Sequence, residues 1–239
     1  MKSIAIFRHS ETEGPGYFAT YLARARLPWT LVKLDQGEPV PQDATEYAGL
    51  VFMGGPMSVN DDLPWIPKVM HLIQDAVARD VPVLGHCLGG QLMSKALGGQ
   101  VSRAPIKEIG WGEVQILEGS PGAAWFGADR SSFQVFQWHG ETFSIPPGAT
   151  HLLANRWCAN QGFALGPHLA LQCHIEMNEE LVRSWCQTGS REIARSQSPA
   201  VQPIDDILSR LEANISALHE VADAAYARWT SALKANPGS

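Results

Sequence analysis

The sequence predicts an α/β fold, with an open, mostly parallel central sheet, helices on both faces and a C-terminal helical extension. Three features carry this expectation. Over the first hundred residues short apolar runs alternate with longer amphipathic ones, the rhythm of strands joined by helical crossovers. At Val81 to Gly99, VPVLGHCLGGQLMSKALGG, an apolar strand enters a Gly-x-Cys-x-Gly turn and a helical pattern follows at once. From Pro203 onward, Ile204, Leu208, Leu211, Ile215, Leu218, Ala222, Ala225, Trp229 and Ala232 recur at alternating spacings of four and three.

Taken in order, strands are expected near residues 3–7, 30–34, 49–53 and 81–85, with helices near 16–26, 65–79 and 88–97. The opening MKSIAIFRHS has too short an apolar stretch for a signal peptide and reads as the first strand. Between about 100 and 173 the runs GWGEVQIL, SFQVFQWH, HLLANR, GFALG and HLALQCHI predict antiparallel strands added to the sheet. A helix near 178–188 completes a domain spanning residues 1–188. Residues 189–202, polar and carrying Pro199, read as a linker. Residues 203–239 form the helical extension, with Pro203 suited to a helix start. Its stripe is expected to lie on its own domain, through one helix or a helix broken once. A homodimer or partner contact is the alternative.

Composition narrows the function. The 239 residues are enough for one α/β core. A net charge of −6 without a basic cluster argues against nucleic acid, and no apolar run approaches a membrane span. Four cysteines, Cys87, Cys158, Cys173 and Cys186, make neither a Cys-x-x-Cys pair nor a zinc spacing, so no metal is expected. Cys158, Cys173 and Cys186 read as core or surface thiols. A reactive thiol that must stay reduced fits the cytoplasm.

A strand turning sharply into a helix strains its turn residue and lifts that side chain clear of the sheet, which makes Cys87 a candidate nucleophile. Gly85 and Gly89 suit the close approach of strand and helix, and the helix start aims free N–H groups at the sulfur. A thiol nucleophile needs a base, and the base an orienting group. Among eight histidines, His86 is adjacent to Cys87 but projects to the opposite side of the strand. His174 follows the apolar run from His168 to Cys173, and Glu176, two residues on, faces the same side in extended chain. Both motifs fall at carboxyl ends of strands, where open α/β sheets place their sites. A third apolar strand ends in Gly54-Gly55-Pro56, a turn suited to presenting N–H groups. Gly55 and Leu88 are therefore the candidate backbone donors for an oxyanion.

The ordered set Gly54-Gly55-Pro56, Gly85-x-Cys87-x-Gly89-x-Gln91, Trp138-His139-Gly140 and His174-x-Glu176 resembles the class I (triad-type) glutamine amidotransferases. The likeness is to stand-alone members similar to the glutaminase half of GMP synthase, and it spans residues 2–188. It implies that Cys87 attacks the side-chain amide of L-glutamine, and that His174 protonates departing ammonia and then activates water. It further implies substrate binding by Gln91 and by the loop Trp138, His139, Gly140 and Glu141, with no cofactor. Ammonia would pass to an acceptor on a synthase subunit, since the chain has no Gly-rich nucleotide loop. A γ-glutamyl peptidase using the same residues, or a non-catalytic glutamine-binding module, are the alternatives.

Two positions depart from the family pattern. His86 stands where an aliphatic residue is usual, and Cys173-His174-Ile175-Glu176 replaces Phe-His-Pro-Glu. The run IFRHSET after the first strand is similar to the Arg-His-Gly of histidine phosphatases, but Ser10 replaces the glycine and no phosphate site accompanies it. His9 is expected to face solvent in that loop.

Overall fold

The computed structural model describes residues 2–233, and the last positions of the expected extension, 234–239, lie outside them. Ten strands form one sheet. They are β1 (Ile4–Arg8), β2 (Trp29–Lys33), β3 (Gly49–Phe52), β4 (Val83–His86), β5 (Val101–Ile116), β6 (Ser132–Phe143), β7 (Thr150–Ala154), β8 (Gly162–Leu165), β9 (His168–Leu171) and β10 (Ala200–Val201). Their order is β10-β5-β7-β8-β9-β4-β3-β1-β2, with β6 pairing β5. Strands β2, β1, β3, β4 and β9 run parallel, as crossover helices require, and β8, β7, β5 and β6 add antiparallel pairs.

The helices are α1 (Gly16–Arg24), α2 (Ile66–Ala78), α3 (Leu88–Ala96), α4 (Gly122–Phe126), α5 (Glu179–Thr188), α6 (Ser190–Arg195), α7 (Ile204–Ser209) and α8 (Leu211–Ser231). Side chains alternate across each strand, so the sheet has a core on either face. Ala5, Phe7, Leu50, Phe52 and Val83 join α2 and α3 in one. Ile4, Ile6, Val51, Leu84, Leu169 and Leu171 join α1, α5 and α8 in the other. The predicted architecture is the one observed.

The extension folds back onto this second face. Leu211, Ile215, Leu218, Ala222, Ala225 and Trp229 are all buried there, together with Val221 and Tyr226, which lie off the seven-residue stripe. The helix breaks at Arg210, between α7 and α8. Full burial of each Ile or Leu removes enough apolar surface to be worth about 1.5–3 kcal/mol. Polar groups tie the same contact: the Tyr17 hydroxyl donates to Asp223 at 2.9 Å, and the Trp111 indole N–H donates to the Ile207 carbonyl at 3.0 Å.

The stretch 189–202 is not an unstructured linker. It holds α6 and β10, and β10 runs parallel to β5. The physical reason is polar satisfaction at a sheet edge. The Gln202 amide accepts from the Trp111 N–H and donates to the Trp111 carbonyl, both at 2.8 Å, so a side chain continues the ladder. The strand expected through Cys173 stops at Leu171. His9 is buried rather than solvent-facing, with Nδ1 3.0 Å from the Met53 carbonyl and its ring against Trp65. Burial pushes it down to about 4. Cys158, Cys173 and Cys186 are all buried thiols.

Candidate active site

Cys87 sits between β4 and α3 with φ 50° and ψ −107°, in the region that side-chain-bearing residues rarely occupy. The chain holds it there because strand and helix approach closely. A Cβ on Gly89 would come 2.0 Å from the Phe52 carbonyl oxygen, and one on Gly85 would come 2.5 Å from the Gly89 carbonyl carbon. The Cys87 N–H donates to the Leu171 carbonyl at 2.8 Å, fixing the turn to β9. The residue is 7% exposed, at the floor of a cleft of about 800 Å³.

His174 lies just beyond β9, bridged to β6: its N–H donates to the Phe136 carbonyl at 2.8 Å. Its ring Nδ1 is 2.6 Å from Glu176 Oε1. Nε2 is buried with no hydrogen-bond partner, on a ring close enough to Cys87 for the two to interact electrostatically. Trp185 packs edge-on against the ring, with centroids 4.9 Å apart. Burial alone would disfavour charge on His174, but the Glu176 carboxylate and the Cys87 sulfur outweigh it and raise the imidazole well above its ordinary value. Burial also works against the Glu176 carboxylate. His174 overcomes this and holds it down to about 2.

Gly55 and Leu88, the expected oxyanion donors, are neighbours. A Cβ on Gly55 would lie 2.6 Å from the Leu88 side chain, and Leu88 opens α3, where first-turn N–H groups have no intrahelical acceptor. Gln91, one turn along α3, donates to Gln172 Oε1 at 3.2 Å. Trp138, His139, Gly140 and Glu141 line the opposite wall. The Trp138 indole N–H donates to Glu192 at 3.1 Å, and Glu141 accepts from the Ser58 hydroxyl at 3.0 Å. The His139 ring ties this wall to the interior: Nδ1 lies 3.0 Å from the Glu141 carbonyl, and Nε2 lies 3.3 Å from Glu108. The Asn155 and Gln161 amides donate to the same Glu108 carboxylate at 2.6 and 2.9 Å. All ten candidate residues therefore belong to one cleft and its supports.

Three residues at this site were not singled out from sequence. Gln172 donates to the Cys87 sulfur at 3.6 Å; its spacing of two from His174 was the available signal. Glu13, on the loop after β1, lies over Gly54, where a Cβ would meet its carboxylate at 2.1 Å and the His174 ring at 3.2 Å. Burial raises Glu13 to about 7, with Glu176 adding to the rise and His174 opposing it. Tyr226 of α8 reaches His86 at 3.4 Å. No pattern in the sequence marks it.

Residues 17–182 match the family described as glutamine amidotransferase class-I. The chain belongs to that family. Among solved structures, the glutamine amidotransferase from Methylobacillus flagellatus superposes with a TM-score of 0.95 at 43% identity, covering 98% of this chain and 96% of that one. A γ-glutamyl peptidase of Arabidopsis thaliana is 27% identical over 178 residues, 70% of this chain and 71% of the peptidase. A glutamine-hydrolysing GMP synthase of Desulfotalea psychrophila is 33% identical over 139 residues, 56% of this chain but only 25% of the synthase. No helix among the described residues is long and apolar enough to cross a membrane.

Proposed function

We propose that this class I family member hydrolyses the side-chain amide of L-glutamine through a γ-glutamyl thioester on Cys87, yielding glutamate and ammonia. The observation that carries this reading is the alignment of Cys87, in its strained turn at the cleft floor, with a His174 ring held by Glu176 at 2.6 Å. His174 takes the Cys87 proton, and the sulfur bonds to the amide carbon. The Gly55 and Leu88 N–H groups face the resulting oxyanion. As the C–N bond breaks, His174 gives the proton to the leaving ammonia. It then takes a proton from water, whose oxygen attacks the thioester, and the thiol returns as glutamate leaves. Gln91 and the Trp138–Glu141 wall grip the amino-acid end of the substrate. Ammonia passes to an acceptor held by a synthase subunit, a proposal supported by the GMP synthase relationship.

A second reading has its own support. A cleft of about 800 Å³ is in the range, roughly 300–1,000 Å³, that takes ligands well beyond glutamine in size. With the peptidase relationship, this favours γ-glutamyl peptides whose leaving group is an amine larger than ammonia. One screen separates the two. Purified protein is offered glutamine, γ-glutamyl dipeptides and glutathione conjugates, with ammonia and mass-detected products as readouts. Ammonia from glutamine at the highest kcat/KM supports the first reading, and preference for a γ-glutamyl peptide supports the second. Turnover of none of them, by folded protein, overturns both.

A further inference from the structure

The residue before the candidate nucleophile is a fully buried histidine. His86 shares the side of β4 that carries Leu84, and so faces α8 rather than α3. Its Nε2 lies 3.4 Å from the Tyr226 hydroxyl and 3.7 Å from Glu176 Oε2. That oxygen is the one His174 does not use, and it is buried with no hydrogen bond of its own. An ionised carboxylate buried with one oxygen unserved is costly, and His86 Nε2, 3.7 Å away, is a group able to serve it.

We propose that His86 is a positioning residue whose single Nε2–H points between Glu176 Oε2 and the Tyr226 oxygen, both accepting, and so joins the Cys87–His174–Glu176 set to helix α8. The chain of contacts then runs from the sulfur, through two imidazoles and a carboxylate, to a phenol 44 residues beyond the family match. Tautomer chemistry supports the direction. Burial lowers His86, so the ring is neutral and carries one proton. A carboxylate beside Nε2 favours the tautomer with the proton on that nitrogen, since the other would set a lone pair against negative charge. Held this way, Glu176 keeps one oxygen for His174 and cannot rotate it away. An aliphatic residue at position 86 offers no such hold.

The proposal rests on the Cys87–His174–Glu176 reading, so its test uses a readout that needs no substrate. Alkylation of Cys87 by iodoacetamide is followed by mass spectrometry from acid to neutral pH, alongside kcat and KM on whichever substrate is turned over. The groups facing Glu176 are His174, His86, Glu13, Cys173 and Tyr226. Cys173 and Tyr226 stay neutral, raised by burial, whereas Glu13 titrates near 7, so profiles are also taken in a Glu13→Gln background. His86→Leu removes the donor. It should move the acid limb of alkylation upward by about half a pH unit or more. It should also lower kcat by roughly tenfold, the scale of outer-layer partners, with KM changed less than about twofold.

His86→Gln, whose amide restores an N–H at the same reach, should recover most of both. Tyr226→Phe deletes a single oxygen and should move both readouts in the same direction by less. Added to His86→Leu it should change nothing further, because Tyr226 acts through His86. A purely structural role predicts the opposite pattern, with melting temperatures falling additively and the acid limb unmoved. Wild-type alkylation kinetics no different from a plain thiol would overturn this proposal together with the triad reading. A reactive Cys87 whose acid limb ignores His86→Leu, or a His86→Gln no better than His86→Leu, would overturn this proposal alone. Should His86→Leu fail to fold, Tyr226→Phe decides, and an unchanged acid limb there overturns it.

Discussion

The two faces of the sheet are built on different plans. The α2–α3 face closes with residues close in sequence: β3, α2, β4 and α3 follow one another between Gly49 and Ala96. Its contribution to the cleft is backbone, namely the strained turn at Cys87 and the first N–H groups of α3. The α1–α8 face closes with residues from opposite ends of the chain, and its contribution is a buried side chain, Tyr226 against His86. Close backbone approach is written in glycines and can be read locally. A side-chain contact across a core is written only in the packing.

This contrast can be broken by mutation. The largest expected effect is at Cys87 and His174, where the two sides of the cleft meet. Cys87→Ser and His174→Ala should each lower kcat by at least about 10⁴-fold while the fold, read by circular dichroism, is kept. Glu176→Gln should cost roughly one to two orders of magnitude less, because an amide still bonds the ring but cannot stabilise an imidazolium. Equal losses in all three would mean that Glu176 does more than orient.

On the α1–α8 face the expected effect is on stability. Leu218→Ala, in the buried stripe of α8, should cost about 2–5 kcal/mol in denaturant unfolding. Because α8 also seats Tyr226, the loosened protein should retain Cys87 alkylation but with a shifted acid limb. A stability loss under about 1 kcal/mol would mean the stripe is poorly packed.

A nearer mutation tests local closure. Gly89→Ala forces a methyl to within 2.0 Å of the Phe52 carbonyl and should destabilise by roughly 1–3 kcal/mol, lowering alkylation at Cys87 as the turn relaxes. An unperturbed melting temperature would mean that strand and helix can part at no cost.

The smallest and most diffuse effect is acid sensitivity. His9 and His168, both beside the α2–α3 core, are lowered by burial to about 4, and His168 Nδ1 accepts the Val83 N–H at 3.2 Å. Their unfolded values are about 6.5, so between roughly pH 6.5 and pH 4 the unfolded chain binds protons that the folded chain refuses. Stability should therefore fall as pH drops through that window, by up to about 1.4 kcal/mol per unit for each ring. His168→Gln should flatten the slope, and an unchanged slope would assign the acid loss elsewhere.

How much could be read from the sequence follows the same division. Strands β1, β3 and β4 and the site residues Cys87, His174 and Glu176 were legible, because apolar runs ending in Gly-Gly-Pro, Gly-x-Cys-x-Gly and His-x-Glu are local signals. Strand β5 was legible only in its second half. Its first half carries Pro105 and a register shift between Arg103 and Glu108, which hide the alternation. Residues 189–202 looked like a linker because polarity is all that a short edge strand shows. Its partner, β5, lies about ninety residues away. Tyr226 carries no motif, Gln172 shows only its spacing of two from His174 and Glu13 only its place in the loop after the first strand, so tertiary packing alone brings an amide, a carboxyl and a phenol to the same site.

Strand β1 and helix α1 are made long before α8, yet their inner side waits for it. Tyr17 meets Asp223, and Tyr21 meets Thr230, across separations of 206 and 209 residues. While the chain is still emerging from the ribosome, Ile4, Ile6, Phe18 and Leu22 have no permanent cover on that side. A nascent chain stalled or cut before Leu211 would thus present the Gly-x-Cys-x-Gly turn on a half-closed sheet, prone to bind chaperones or other stalled chains. Termination before Leu211 should therefore yield sticky, proteolysis-sensitive fragments, making α8 the element that closes this face.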